Sequence, residues 1–249
     1  MGYGSLSIQT TDHVLVITII DPVSRPVEIA RLSNELGDLW AEIVMKEDIR
    51  VAIVAGTGED FFLRTDPVKS LSMGRWPIAG RIGEMDVPVI AAINGDALGQ
   101  GLELALACDI RLSVETSHFG LPQIMDGLIP WDGGTQRLSR LVGRGKALEM
   151  LLTGETIDAA EAYRVGLVHK IVSSGGVMDA ALDLAREMAS KGPVALRFTK
   201  EAIYKGMDLT LEQGLRLEAD LYFLLHTTQD RGEGIKAFRE KKPPRFEGK

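Results

Sequence analysis

"PVIAAINGDALGQGLELALACDI", residues 88–110, carries a strand, a turn and a helix in direct succession. Residues 88–94 are apolar and β-branched without alternation, which is how a strand covered on both faces reads. Glycines at 95, 99 and 101 suit a tight turn into a helix over 99–108, whose first N–H groups have no acceptor within the helix. One carboxylate, Glu103, stands among Leu102, Leu104, Ala105 and Leu106. It either caps its own helix N-terminus or serves as a buried acid/base. The stretch is not a P-loop, because no Gly-Lys-Ser/Thr follows, and it lacks the G-x-G-x-x-G order of dinucleotide folds.

Outward from this stretch, further strands are predicted at 13–20, 49–56, 109–114 and 166–172. Helical periodicity falls between them, at about 32–46, 135–152, 158–165 and 177–190. Together these segments predict an α/β layer structure. From Pro193 the chain reads as helix almost throughout, so a boundary is expected near 190, dividing 1–190 from 191–249. "FFLRTDPVKSLSMG" (61–74) and "RWPIAGRIGEM" (75–85) form a long Gly- and Pro-marked connection of the kind that covers or lines a site.

The composition is that of an ordinary globular chain: 249 residues, 45% hydrophobic and 25% charged. A net charge of −7 argues against nucleic acid as a general partner. Charge is uneven, since 231–249 holds seven Lys/Arg against three Glu; this is a solvated tail or a local partner for phosphates. No apolar run approaches a membrane span and no secretory signal is visible, so a cytoplasmic location without membrane contact is expected. The single cysteine, Cys108, cannot form an internal disulfide, and the four histidines (13, 118, 169, 226) lack chelating spacing, so no metal site is expected.

"SHFGLPQIMDGLIPWDGGTQRLSRLVG" (117–143) adds an ordered block to 88–113, and "LLTGETIDAAEAYRVGLVHKIV" (151–172) adds a third. Together they closely resemble the crotonase (enoyl-CoA hydratase/isomerase) superfamily over nearly the whole chain. The resemblance implies a spiral of repeated ββα units forming an acyl-CoA-binding core, and a C-terminal α-helical trimerisation region. It also implies a homo-trimer or a dimer of trimers, a coenzyme A thioester substrate, and no separate cofactor. In such enzymes two backbone N–H groups hold the thioester oxygen while an enolate-like anion forms, each worth about 3 kcal/mol or more.

By that resemblance one donor is the N–H of Gln100, within Gly99-Gln100-Gly101 where the family has Gly-Gly-Gly. The other falls in "LRTDPV" (63–68), on Thr65 or Asp66; Pro67 has no N–H to offer. Glu103 matches the family's first catalytic glutamate, whereas the second is replaced by Gln123, which cannot exchange a proton. "LIPWDGGTQ" (128–136) departs from the family's "LIPGAGGTQ" and introduces Trp131 and Asp132. Asp132 either caps the helix that follows or joins Glu103 as a second acid/base, with Trp131 excluding water. Val27, Leu63, Val68, Gly99 and Trp131 are implied to border the substrate, and Phe246 and Lys249 to help a neighbouring subunit hold the nucleotide.

The expected activity is addition or removal of water at an enoyl-CoA. The alternative is isomerisation, or carbon–carbon bond hydrolysis of a cyclic or β-oxo acyl-CoA, with Glu103 and Asp132. A non-catalytic relative that binds acyl-CoA is a third reading, against which the retained Glu103 argues.

Overall fold

The computed structural model describes the backbone of residues 3–20, 26–44, 48–58, 61–62 and 77–249, and their side chains except at 26–28 and 44. The chain opens on a hairpin of β1 (Leu6–Thr11) and β2 (Val14–Ile19), in which Thr11 pairs with Val14. Asp12 (φ 48°) and His13 (φ 66°) make the two-residue turn, the left-handed geometry that matches strand twist. The strands β3 (Val51–Gly56), β4 (Val89–Ile93), β6 (Ile110–Val114) and β9 (Lys170–Val172) then add in parallel. The result is a six-stranded sheet in the order β1-β2-β3-β4-β6-β9. A second, three-stranded sheet joins β5 (Ala97–Leu98), β7 (His118–Gly120) and β8 (Ile157–Asp158).

Both faces of the large sheet are covered, as the continuous apolar strands require. On β3, Ala52 and Val54 join one apolar cluster while Val51, Ile53 and Ala55 join the other. The first cluster is completed by α1 (Pro26–Val44), α2 (Ile78–Gly83), α3 (Gln100–Ala107), α4 (Gly134–Thr153) and α5 (Ala159–Arg164). The second is closed by α6 (Val177–Ala189), which lays the small residues Ala181, Ala185 and Ala189 against the strands. The helices α7 (Pro193–Gly206), α8 (Leu211–Leu225) and α9 (Gln229–Glu240) end the chain. Lys200 of α7 reaches Asp109 Oδ2 at 2.8 Å and the Val87 carbonyl at 2.9 Å, fastening this segment to the edge where β4 and β6 begin.

The α/β layering expected from the strand patterns is present. The small β5-β7-β8 sheet has no counterpart among the predicted strands, and of the strand expected at 166–172 only Lys170–Val172 pairs; three further differences have plain reasons. β1 escapes the sequence pattern because Gln9, Thr10 and Thr11 are exposed and polar, and its place in the sheet comes from pairing with β2. The first helix begins at Pro26, ahead of the expected 32, because proline suits the first helical position. The third difference is α2, a short helix inside 75–85, which the sequence reads as connection.

α3 is buried at all eight positions, and two contacts allow it. Gly101 approaches the main chain of Phe62 so closely that a Cβ there would lie 2.7 Å from the Phe62 carbonyl oxygen. At the other end Arg111, 2% exposed, donates to the carbonyls of Ala105 (3.3 Å), Cys108 (2.5 Å) and Leu167 (2.7 Å). A guanidinium there satisfies the Cys108 and Leu167 carbonyls, shares the Ala105 carbonyl with the Cys108 N–H, and opposes the negative end of the helix dipole. Arg111→Met is expected to leave the Cys108 and Leu167 carbonyls buried without this donor and to lower stability by about 3 kcal/mol, read as a shift in the urea midpoint.

Candidate active site

The site is built where β4 turns into α3. Gly99, the residue preceding that helix, holds φ 57°, and its N–H donates to the Gly120 carbonyl at 2.9 Å, lashing the turn to β7. Gln100 begins α3, so its N–H has no acceptor in the helix. One turn later Glu103 is fully buried. The N-terminal turn orients its carboxylate, but the helix does not satisfy it: Oε1 accepts from the main-chain N–H groups of Asp132 (2.7 Å) and Gly134 (2.9 Å). Oε2, also buried, accepts no hydrogen bond among the described residues. Burial pushes the Glu103 carboxyl up to about 7, against the two N–H donors and Arg137, which lower it; the charge of Asp132 adds to the rise.

Gly134 is held to glycine by this contact, since a Cβ would lie 2.8 Å from Pro130, 3.0 Å from Glu103 Oε1 and 3.0 Å from Leu121. Gly133 (φ 102°) occupies the left-handed region that favours glycine, and Arg137 Nη1 donates to the Asp132 carbonyl at 2.7 Å across it. Two residues past Leu121, Gln123 stands in the short 3-10 turn Pro122–Asp126, with a buried Oε1 that has no partner among the described residues. The same holds for the buried Oε1 of Gln100, a residue 7% exposed.

Asp132 is 7% exposed and acts as a helix cap, though not for the helix the sequence suggests. The residue before α4 is Gly133, and no side chain caps that terminus. Asp132 instead turns to α2, accepting from Ala79 N–H (2.7 Å) at Oδ2 and Gly80 N–H (3.1 Å) at Oδ1. Burial raises its carboxyl above the ordinary range, opposed by the N–H groups of α2 and by Arg137. The loop 130–134 therefore brings together Glu103, Asp132 and the half-buried Trp131.

The other expected residues are placed apart or fall outside the described ones. Leu63, Thr65, Asp66 and Val68 lie outside them, and Val27 falls in the first turn of α1. Phe246 and Lys249 make their main-chain hydrogen bonds away from the Glu103 loop. The Phe246 carbonyl accepts from Arg50, just before β3, at 2.6 Å, and the Lys249 carbonyl accepts from Gln229 N–H at 2.6 Å. A cavity of about 710 Å³ opens at the carboxyl edge of the sheet, but it is lined by Gly56, Asn94, Asp96, Thr116 and Met178 rather than by Glu103. Among the described residues no cluster of three or more His, Cys, Asp or Glu could hold a metal ion, and no helix is long and apolar enough to cross a membrane. What the sequence reading missed is the set of main-chain partners: Gly134 for Glu103, and Ala79 and Gly80 for Asp132. Pro77, directly ahead of α2, was the available sign of a helix start.

The sequence profile of the enoyl-CoA hydratase/isomerase family matches residues 9–249. The chain belongs to this family. It is 37% identical to an (E)-benzylidenesuccinyl-CoA hydratase of Thauera aromatica, covering 98% of this chain and 99% of the relative. It is 36% identical to a 2,3-dehydroadipyl-CoA hydratase of Escherichia coli, over 99% of this chain and all of the relative. The crystal structure of an enoyl-CoA hydratase from Bacillus anthracis superimposes with a TM-score of 0.89 at 36% identity, covering 98% of this chain and 100% of that one. The architecture is the crotonase fold.

The raised carboxyl of Glu103 has a consequence for folding. The unfolded chain ionises this group near 4.5 and the folded family member near 7, so between these values the native state keeps a proton the unfolded state has lost. Native stability therefore falls as pH rises through that window, by roughly 3 kcal/mol in total, and is not regained above it. Glu103→Gln is expected to be more resistant to urea than the parent at pH 8 and equal to it at pH 4. A variant weaker than the parent at pH 8 would mean that the folded protein favours the charged form.

Proposed function

We propose that the protein hydrates an enoyl-CoA with Glu103 as its single proton-transferring group. The observation that carries this is the division of labour within one carboxylate: Oε1 is fixed by two main-chain donors, and buried Oε2 has no partner among the described residues. Ionised Glu103 takes a proton from water at Oε2, and the water oxygen bonds to Cβ of the enoyl thioester. The electron pair of the double bond moves onto the thioester, and the Gln100 N–H stabilises the oxygen as it gains charge. Protonated Glu103 then returns its proton to Cα, completing the addition of one water. A carboxyl near 7 suits a group that must accept and donate within one turnover.

Gln123 fits this scheme as an acceptor. It cannot supply a proton, but its Oε1, without a partner among the described residues, can accept a hydrogen bond from the second O–H of the water, which stays with the product, and so fix the face of attack. The second oxyanion donor belongs to Thr65 or Asp66 in this reading, and Trp131 borders the acyl group. The 2,3-dehydroadipyl and benzylidenesuccinyl hydratases among the relatives point to hydration as the reaction class. The exposed apolar side chains of Met207 (61%), Leu211 (79%), Phe223 (67%) and Phe238 (86%) in the C-terminal helices support assembly with further copies, as trimer or dimer of trimers. Assembly would also bring Phe246 and Lys249 to a neighbour's nucleotide, which they do not reach within one chain.

The test is turnover of a panel of enoyl-CoA and cyclic oxo-acyl-CoA thioesters in heavy-oxygen water, with products read by mass spectrometry. Label is expected as a hydroxyl at Cβ, with kcat falling by about two to four decades in Glu103→Gln. Label in a newly formed carboxylate would replace hydration by carbon–carbon cleavage.

A further inference from the structure

Asp132 adds a polar tie between α2 and the Glu103 carboxylate to the apolar packing that α2 and α3 already share. Its side chain holds the N-terminus of α2 through Ala79 and Gly80, 53 and 52 residues away in the chain. Its own N–H donates 2.7 Å to Glu103 Oε1, and its carbonyl is gripped by Arg137 Nη1 at 2.7 Å. The same peptide unit thus anchors a helix by its side chain and the reacting carboxylate by its main chain. Gly80 lies close enough that even a Cβ there would meet Asp132 Oδ1 at 3.6 Å. Arg137 closes the arrangement from the other side: its Nη2 would lie 3.0 Å from a Cβ on Gly83, at the far end of α2.

We infer that Asp132 is a positioning residue, which docks α2 and through the same peptide fixes the angle at which Glu103 presents Oε2. The inference rests on the proposal that Glu103 transfers the proton, and deepens it. Each Asp132 oxygen already accepts an N–H of α2, so a proton taken up there would weaken the hold on that helix, whereas holding Glu103 requires nothing to move. A side chain that fixes its neighbour this way affects the rate through geometry, and a displacement on the order of 1 Å costs about a hundredfold in turnover. Asp132 also acts at a distance. With Arg137 it supplies the charges bearing on Glu103: the Asp132 carboxylate from the loop discourages ionisation, and the Arg137 guanidinium from α4 favours it.

The experiment is a double-mutant cycle on the full-length protein with crotonyl-CoA and water as substrates: parent, Asp132→Asn, Glu103→Gln and the pair. Asp132→Asn keeps the shape and one acceptor but removes the charge and the second acceptor. Its kcat is expected to fall by about a hundredfold with KM within threefold. The acid limb of its kcat/KM profile should move to lower pH, because Glu103 loses a negative neighbour. In the Glu103→Gln background the same change should cost less than threefold, since what it positions is gone. Multiplicative losses, or an acid limb that stays in place, would overturn the inference and leave the Glu103 assignment intact. Disappearance of the acid limb in Asp132→Asn, with kcat as low as in Glu103→Gln, would overturn it in favour of direct proton transfer by Asp132. Full turnover by Glu103→Gln would overturn the assignment of Glu103 and this inference with it. If Asp132→Asn does not fold, Asp132→Ser keeps one acceptor in a smaller side chain and is read in the same way.

Discussion

A carboxylate has been taken out of water, and the two main-chain N–H groups that meet it hold the site together. Glu103 is fully buried in a helix with no exposed face, and an unpaired charge there would be intolerable. The donors at Asp132 and Gly134 make it tolerable, and both come from one loop. That loop can reach Glu103 only because Gly133 takes a left-handed turn and Gly134 carries no Cβ. The requirement propagates outward: α3 must be seated against Phe62 through Gly101, and its far end must be neutralised by Arg111, before the carboxylate is in register with the loop. The donors lower the ionisation threshold without restoring it, and the remaining penalty leaves Glu103 near neutrality, where acid–base chemistry needs it.

Much of this was legible in the sequence because it is periodic or local. The parallel strands read as unbroken apolar runs, and α3 announced itself through glycines placed ahead of a wholly apolar helix carrying one carboxylate. The family resemblance rested on those same blocks, and the matched profile over 9–249 bears it out. The hidden parts depend on distance in space rather than on neighbours in the chain. β1 is a strand because β2 pairs with it, although its outer half is polar. α2 has six residues, too few for a period to show, and its N-terminus is satisfied by a side chain 53 residues further on. For the same reason the cap reading of Asp132 pointed to the wrong helix. Residue type told that a terminus was being capped, but only the fold could tell which one.

Under the proposed hydration, two positions that depart from the family pattern expected from the sequence keep chemistry by different means. At Gln100 the contribution comes from the main chain, so the side chain can change while the N–H stays. At Gln123 the contribution of a glutamate is split: the acceptor survives in the carboxamide, and the exchangeable proton is lost. Under that reading the departures weaken only the second acid/base group and leave both proton transfers to Glu103.

The contact between Gly101 and Phe62 has an evolutionary reading. A residue whose every substituent would meet a neighbouring backbone is closed to drift, while Gln100, one position earlier, performs its task with atoms that all amino acids except proline share. The turn into α3 thus sets a position closed to any side chain beside one whose side chain is free to change. Under the proposed hydration, exchange of the side chain at 100 leaves in place the N–H that would stabilise the anion. One scaffold can in this way supply a lineage with many substrates and a single kind of transition state.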